Sequence, residues 1–169
     1  MSAPVAIRQI ERLGEPDLSQ LSDLLVAVVD DGASIGFLPP LERAGAEAYW
    51  RGALGPGILL WIAERADQVV GTVQLQLCLK QNGLHRAEVA KLMVHPGARR
   101  QGIARRLMAQ VESAARRHER SLLVLDTREG DPSNELYRSL GYVHVGTVPR
   151  YARSAGGRLD GSAFYYKEL

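Results

Sequence analysis

The sequence predicts an α+β fold, a mostly antiparallel mixed sheet flanked by helices, and three observations carry that prediction. Val73, Leu75, Leu77 and Leu79 alternate with Thr72, Gln74, Gln76 and Cys78, the period of a half-buried antiparallel strand. Ile103, Leu107, Val111 and Ala115 recur every four residues, the stripe of an amphipathic helix. Strand-like and helix-like segments follow one another with no repeat, low-complexity tract or linker, so residues 1–169 are expected to form a single domain.

Taken in order, residues 5–13 mix apolar and charged side chains and read as a first strand. Gly14, Glu15, Pro16 and Asp17 break it and supply helix-start chemistry, with Asp17 the expected N-cap. Leu18, Leu21, Leu24, Leu25, Val28 and Val29 then give a helix one apolar face. The glycines and prolines of residues 31–40 spell a loop. A second helix is expected over residues 41–54, before Gly55, Pro56 and Gly57. Strands follow over 58–64 and 69–79, joined by the turn Ala66, Asp67, Gln68. Gln81, Asn82 and Gly83 turn the chain again, and 86–94 completes a meander. The helix over 103–118 is widened by Met108 and Ala114, and 121–127 is a short apolar strand of the buried kind. Pro132 opens a short helix to Leu140, and Gly141 closes it. Residues 142–148 and 162–167 are the last two strands, separated by Gly156 and Gly157.

Composition narrows the functional classes. Hydrophobic residues at 46% and charged residues at 24% describe an ordinary globular domain. The first residues lack a secretory pattern, and no apolar run approaches the roughly 20 residues of a membrane span. A cytoplasmic protein with no membrane association is therefore expected. A single cysteine, Cys78, excludes an internal disulfide, and the four histidines show no metal-ligand spacing, so no metal is expected. A net charge of +2 is too small to argue for nucleic acid. No DNA-binding motif or aromatic stacking platform accompanies it, and no nucleic-acid partner is expected, although Arg99, Arg100, Arg105, Arg106, Arg116 and Arg117 cluster.

The chemistry concentrates between Val94 and Ala104. A strand runs into a loop, Arg99, Arg100, Gln101, Gly102, which opens directly into a helix at Ile103 and Ala104. Unpaired N–H groups and the helix dipole make such a start an anion site. Gly102 and Ala104 keep bulk away from it, and the arginines add positive charge. No Walker loop or dinucleotide fingerprint is present. Gly32, Ala33, Ser34, Ile35, Gly36 matches the Gly-x-Ser-x-Gly nucleophile elbow, but that motif needs a strand before it and a helix after it. Here a helix precedes it and Pro39 and Pro40 follow, so Ser34 is read as a loop residue.

The strand, Arg99, Arg100, Gln101, Gly102, Ile103, Ala104 and the helix resemble the acetyl-CoA pyrophosphate loop of the GNAT superfamily of N-acetyltransferases. Leu136, Tyr137, Arg138, Ser139, Leu140, Gly141, Tyr142 is similar to that family's later motif, and the element order matches throughout. Residues 32–41, and the ending from Gly157 to Lys167, also resemble the tabtoxin-resistance acetyltransferase subgroup. The resemblance implies a sheet splayed between its fourth and fifth strands and acetyl-CoA as co-substrate. The implied acceptor is an amine, expected to be a small molecule, and a homodimer is a further implied partner. It implies that backbone groups of Leu92, Met93 and Val94 hold the pantetheine arm and that Arg99 to Ala104 bind the pyrophosphate. It also implies Glu88 as general base and Tyr137 as the acid that protonates the departing thiolate. The family often carries Asn seven residues before that tyrosine; Gly130 stands there, and nearby Asn134 is the candidate substitute.

Those roles suit the reaction itself. An attacking amine must lose a proton, which a carboxylate can take. The developing oxyanion needs a donor such as a strand amide near Val94. From the residues alone, Glu88 could equally pair with Lys91 or Arg86, and Tyr137 could pack in the core under the last strands. The alternative function is a catalytically silent CoA-binding or acyl-sensing module.

Overall fold

The computed structural model describes residues 3–169. Seven strands form one sheet: β1 (Val5–Ile10), β2 (Ile58–Arg65), β3 (Gln68–Leu77), β4 (Arg86–Val94), β5 (Leu122–Arg128), β6 (Val143–Arg153) and β7 (Leu159–Glu168). Their order is β1-β2-β3-β4-β5-β7-β6, and only β4 and β5 are parallel. Four helices accompany them: α1 (Glu15–Asp30), α2 (Arg43–Arg51), α3 (Ile103–Arg117) and α4 (Ser133–Ser139). The mixed, mostly antiparallel sheet and the splay after the fourth strand are as expected.

The two faces of the sheet bury different helices. On one, Leu21, Leu25, Val28 and Val29 of α1 and Trp50 of α2 pack over Leu60, Ile62 and Met93. The indole of Trp50 donates to Leu21 O at 2.9 Å, so its one polar atom is satisfied inside the core. On the other, Ile103, Leu107, Met108 and Val111 of α3 pack over Trp61, Val73, Leu75 and Val89. The four-residue apolar spacing read from α3 is thus the stripe that meets the sheet.

Several boundaries moved, each for a local reason. Helix α1 begins at Glu15, with Gly14 in the cap position and Pro16 in its first turn, where proline is at home. Asp17 is therefore not the N-cap; its carboxylate accepts from Arg8 at 2.5 Å, and Arg8 also bridges to Glu64 at 2.8 Å. Helix α2 is shorter than expected, because Glu42 is still extended and Gly52 ends it. Strand β3 stops at Leu77, and Leu79 is exposed. The β2–β3 turn places Ala66 and Asp67 at φ 49° and 59°, the left-handed pair that suits the twist of a two-residue hairpin. Strand β6 runs on to Arg153 through two irregularities in its pairing with β7.

Two departures from ideal pairing create the functional cleft. Strands β4 and β5 pair only over Arg86↔Leu122, Ala87↔Leu123 and Glu88↔Val124. Beyond Glu88 they part, and the rest of each strand faces open space. On its other edge β4 carries a bulge: Thr72 pairs Met93 while Gln74 pairs Ala90, so β4 has one residue more than β3. Lys91 takes up the excess at φ 53°.

The packing assigns different weights to two leucines. Leu107→Ala, in a side chain with no exposed surface, is expected to cost about 2–5 kcal/mol in urea unfolding. Leu79→Ala, at 57% exposure, should change stability by no more than about 0.5 kcal/mol.

Candidate active site

The diverging strands enclose a cleft of about 790 Å³. One wall is β4 from Glu88 to Val94 and the loop into α3; the other is β5 from Asp126, the start of α4, and Tyr151 and Ser162 of β6 and β7. The loop after α1 covers the acceptor side with Ala33, Ser34 and Ile35. Ser34 has α1 before it and no helix directly after it, so the nucleophile-elbow geometry is absent.

One end of the cleft is built by the loop from Arg99 to Ala104. Arg100 and Gly102 adopt φ 63° and 76°, two left-handed residues that turn the chain sharply into α3. The first backbone bond of the helix is Arg106 N to Gly102 O at 3.1 Å. Among the described residues, the N–H groups of Arg100 through Arg105 have no hydrogen-bond partner. A Cβ placed on Gly102 would meet nothing within 4 Å. An array of free amides beside open space, with Ile103 anchored in the core at 2% exposure, fits a diphosphate.

The side chains of this loop divide their work. The Gln101 amide oxygen accepts from Arg65 at 2.6 Å, which turns Gln101 outward. Arg99 reaches the other way, donating to Val94 O at 3.3 Å and to Asp31 at 2.6 Å. Arg100 and Arg105 line the cleft, and Arg105 is steadied by Ser139 Oγ of α4 at 2.7 Å. Leu92, Met93 and Val94 also line the cleft. At the bulge the β3 ladder skips Lys91 and Leu92, and beyond Glu88 the edge of β4 toward β5 is unpaired, which leaves β4 backbone groups available to an extended ligand.

Where β4 and β5 part, Glu88 makes no ion pair or hydrogen bond among the described residues. Both of its possible partners are engaged elsewhere: Arg86 donates to Cys78 Sγ at 3.5 Å and Lys91 donates to Ile35 O at 2.8 Å. The Glu88 side chain opens onto the cleft, yet desolvation in the cleft, then the charge of Asp126, push its pKa up against the pull of Lys91 and Arg86. Lys91 is held over the rings of Phe37 and Tyr49, 5.8 and 5.6 Å from their centroids. Burial lowers its pKa, and Asp126 and Glu88 partly restore it.

Tyr137 is packed in the core and also reaches the cleft. Its ring is buried beside Tyr142 and Tyr165, each 5.9 Å away between centroids. It also lines the cleft, and its hydroxyl has no hydrogen-bond partner among the described residues. Burial, then Asp126 and Tyr165, raise its pKa far above the ordinary phenol, so it remains a neutral donor. Asn134 is not brought to the cleft. Its amide nitrogen donates to Arg128 O at 2.9 Å and Asp131 O at 2.8 Å, and its oxygen accepts from Tyr165 at 2.7 Å. It ties the β5–α4 turn to β7 and so sets the position of α4.

Asp126 is the residue that sequence reasoning missed. Two positions after Val124, which faces Glu88, it lies on the same side of β5. It accepts from Ser162 Oγ at 2.7 Å. The available signal was a carboxylate closing an otherwise apolar strand.

This arrangement matches known proteins. Residues 56–144 match the family model described as Acetyltransferase (GNAT) domain. An uncharacterized N-acetyltransferase from Azospirillum brasilense, from the hisH-hisA intergenic region, is 34% identical over 128 residues, 74% of this chain and 76% of that protein. The chain belongs to the GNAT acetyltransferase family, and it is an acetyl-CoA-dependent acetyltransferase. Solved structures share the fold. The ribosomal-protein-alanine N-acetyltransferase from Brucella melitensis aligns with TM-score 0.80 and 24% identity, over 97% of this chain and 99% of that one. The protein yncA from Salmonella typhimurium, solved with its cofactor acetyl-CoA, aligns with TM-score 0.79 and 19% identity, over 98% and 94%.

The free amides around Gly102 make a direct expectation. Gly102→Glu should abolish acetyl-CoA binding in calorimetry while circular dichroism reports an intact fold. Gly102→Ala carries the same left-handed strain without the charge, so it should retain more affinity than Gly102→Glu. Equal affinity in wild type and Gly102→Glu would remove the loop from the donor site.

Proposed function

We propose that this acetyltransferase moves the acetyl group directly from acetyl-CoA to the amine of a small-molecule acceptor, with Glu88 as general base and Tyr137 as general acid. The observation that carries this reading is the unpartnered Tyr137 hydroxyl, in the same cleft as an unpaired Glu88 whose pKa is raised. When bound, acetyl-CoA supplies an activated acyl group and a thiolate leaving group. Arg100, Gly102, Ile103, Ala104 and Arg105 hold its diphosphate end, and β4 backbone at Leu92, Met93 and Val94 holds the arm.

On the acceptor side, Glu88 takes a proton from the incoming ammonium, directly or through water. Asp126 deepens the negative potential that draws a cation to this point and helps keep Glu88 basic. A β4 amide near Val94 donates to the acetyl oxygen as it gains charge. Tyr137 gives its proton, or a hydrogen bond, to the departing sulfur. Asn134 acts at one remove, by fixing the helix that carries Tyr137.

The finer reading includes a cytoplasmic enzyme of the tabtoxin-resistance type. The stretch that resembles that subgroup forms the acceptor loop after α1 and most of β7. It also includes a homodimer. Val143, Val145, Val148 and Tyr151 of the edge strand β6 are exposed, and an apolar patch of this kind is satisfied by a second copy about a two-fold axis.

A CoA-release screen over amino acids, polyamines, aminoglycosides and peptide amino termini tests the acceptor class. Acetyl-CoA binding without turnover on any of them would instead favour the silent module. On the amine that turns over fastest, Glu88→Gln should lower kcat at neutral pH by about 10²–10⁴-fold, with acetyl-CoA affinity little changed. The base must be ionised and its pKa is raised, so the acid limb of wild-type kcat/KM should lie above the usual carboxylate range. The defect should shrink at high pH, where the amine is already neutral.

Tyr137→Phe removes only the hydroxyl and keeps the buried ring. A marked fall in kcat is expected, with the acetyl-CoA dissociation constant and Tm nearly unchanged. A variant that loses Tm but keeps turnover per folded molecule would assign Tyr137 to packing alone.

A further inference from the structure

The loop of residues 31–42, which covers the acceptor side, is pinned to the rest of the molecule by three cations. Lys91, from the β4 bulge, donates to Ile35 O at 2.8 Å. Arg128, at the end of β5, donates to Gly32 O at 3.0 Å while its Nε holds Asp131 at 2.9 Å. Arg99, from the diphosphate loop, holds the Asp31 carboxylate at 2.6 Å. The first two pins are carbonyl bonds made by half-buried side chains. The third differs in kind: Arg99 and Asp31 are each 43% exposed, and ion pairs at such exposure are weak.

The third pin also differs in where it begins. Arg99 is the residue before Arg100, the first of the six with a free amide, and it lines the cleft together with Asp31. Its Nη1 is spent on Asp31 and its Nε on Val94 O, so the guanidinium is turned toward the loop after α1. A diphosphate on the neighbouring amides offers a planar guanidinium more charge and two-point geometry than one exposed carboxylate does.

We propose that Arg99 is shared between the two substrate sites: it holds Asp31 when the donor site is empty and turns to the diphosphate when acetyl-CoA binds, which releases one pin of the acceptor loop. This rests on the placement of the diphosphate at Gly102. Donor binding then loosens the loop that the acceptor must pass, and by linkage a loop held closed by Asp31 weakens donor binding to the same degree. Asp31 is a positioning residue in this scheme and touches neither substrate.

The test uses the full chain and acetyl-CoA alone. Asp31→Asn should tighten acetyl-CoA in calorimetry by up to about fivefold at low salt, the span that exposed ion pairs allow. Asp30→Asn removes the same charge one residue away, from an exposed side chain with no ion pair among the described residues, and should do less. In an Arg99→Ala background the Asp31→Asn gain should vanish. Hydrogen exchange gives a second readout. The amides of Gly32 and Ala33, bonded to Val29 O and Val28 O at 3.0 Å each, should exchange faster in wild type when acetyl-CoA is added. In Asp31→Asn they should already exchange faster without it. Equal effects of the two asparagine variants, or slower exchange on adding acetyl-CoA, would overturn the sharing of Arg99. Equal affinity in wild type and Gly102→Glu would overturn the placement of the donor as well, so the two failures are told apart.

Discussion

Strands β4 and β5 hold together for three residue pairs and then separate, and nearly every functional feature of this molecule follows from that parting. A parallel pair needs a crossover, here α3, which must start where β4 ends. The N-terminus of α3 is thereby delivered to the open end of the cleft, with its amides unpaired. Strand β5 ends at the same side and runs into α4, which returns Tyr137 to the opening. Glu88, Tyr137 and the free amides of α3, the proposed base, acid and anion site, thus come from three elements whose ends converge because two strands are parallel. The bulge at Lys91 adds to this by breaking the ladder on the other edge of β4.

The electrostatics of the cleft are graded along its length. Arg99, Arg100 and Arg105 gather at the end beside α3, and Glu88 and Asp126 lie where β4 and β5 part. The same partial exclusion of water raises Glu88 and Tyr137 and lowers Lys91. Each shift favours a less charged form, which suits the proposed proton transfers: a more basic carboxylate and a phenol that is neutral at rest. Asp126 touches all three groups through its charge and is fixed by Ser162 from β7. The last strands therefore contribute to the chemistry as well as closing the sheet.

Legibility varied with how much of an element's environment is local. Helix α3 and its glycine loop were readable because an amphipathic stripe and a left-handed glycine are properties of neighbouring residues. Strand β6 was under-read: most of its residues are exposed, so it lacks the alternation that burial imposes on β3. Asp17 looked like a cap by type, but Pro16 and Gly14 fixed the helix start first, and Arg8 of β1 claimed the carboxylate. Asn134 lay near the expected position in the chain, but its amide is committed to the β5–α4 turn and Tyr165.

Glu88 and Tyr137 came from the resemblance to the family; by itself the sequence determined the fold class, the strand order in the chain and the phosphate-type loop. Those depend on periodicity, on glycine at a helix start, and on residue types at short spacing. Tertiary structure alone decided that Glu88 is unpaired while Arg86 and Lys91 are engaged elsewhere, that Tyr137 has a buried ring and a free hydroxyl, and that Asp126 joins them. It also placed Asp31 against Arg99, 68 residues apart in the chain. Contacts between distant segments are set by how β4 and β5 diverge and how α1 packs over the sheet, and no local pattern of residues encodes that geometry.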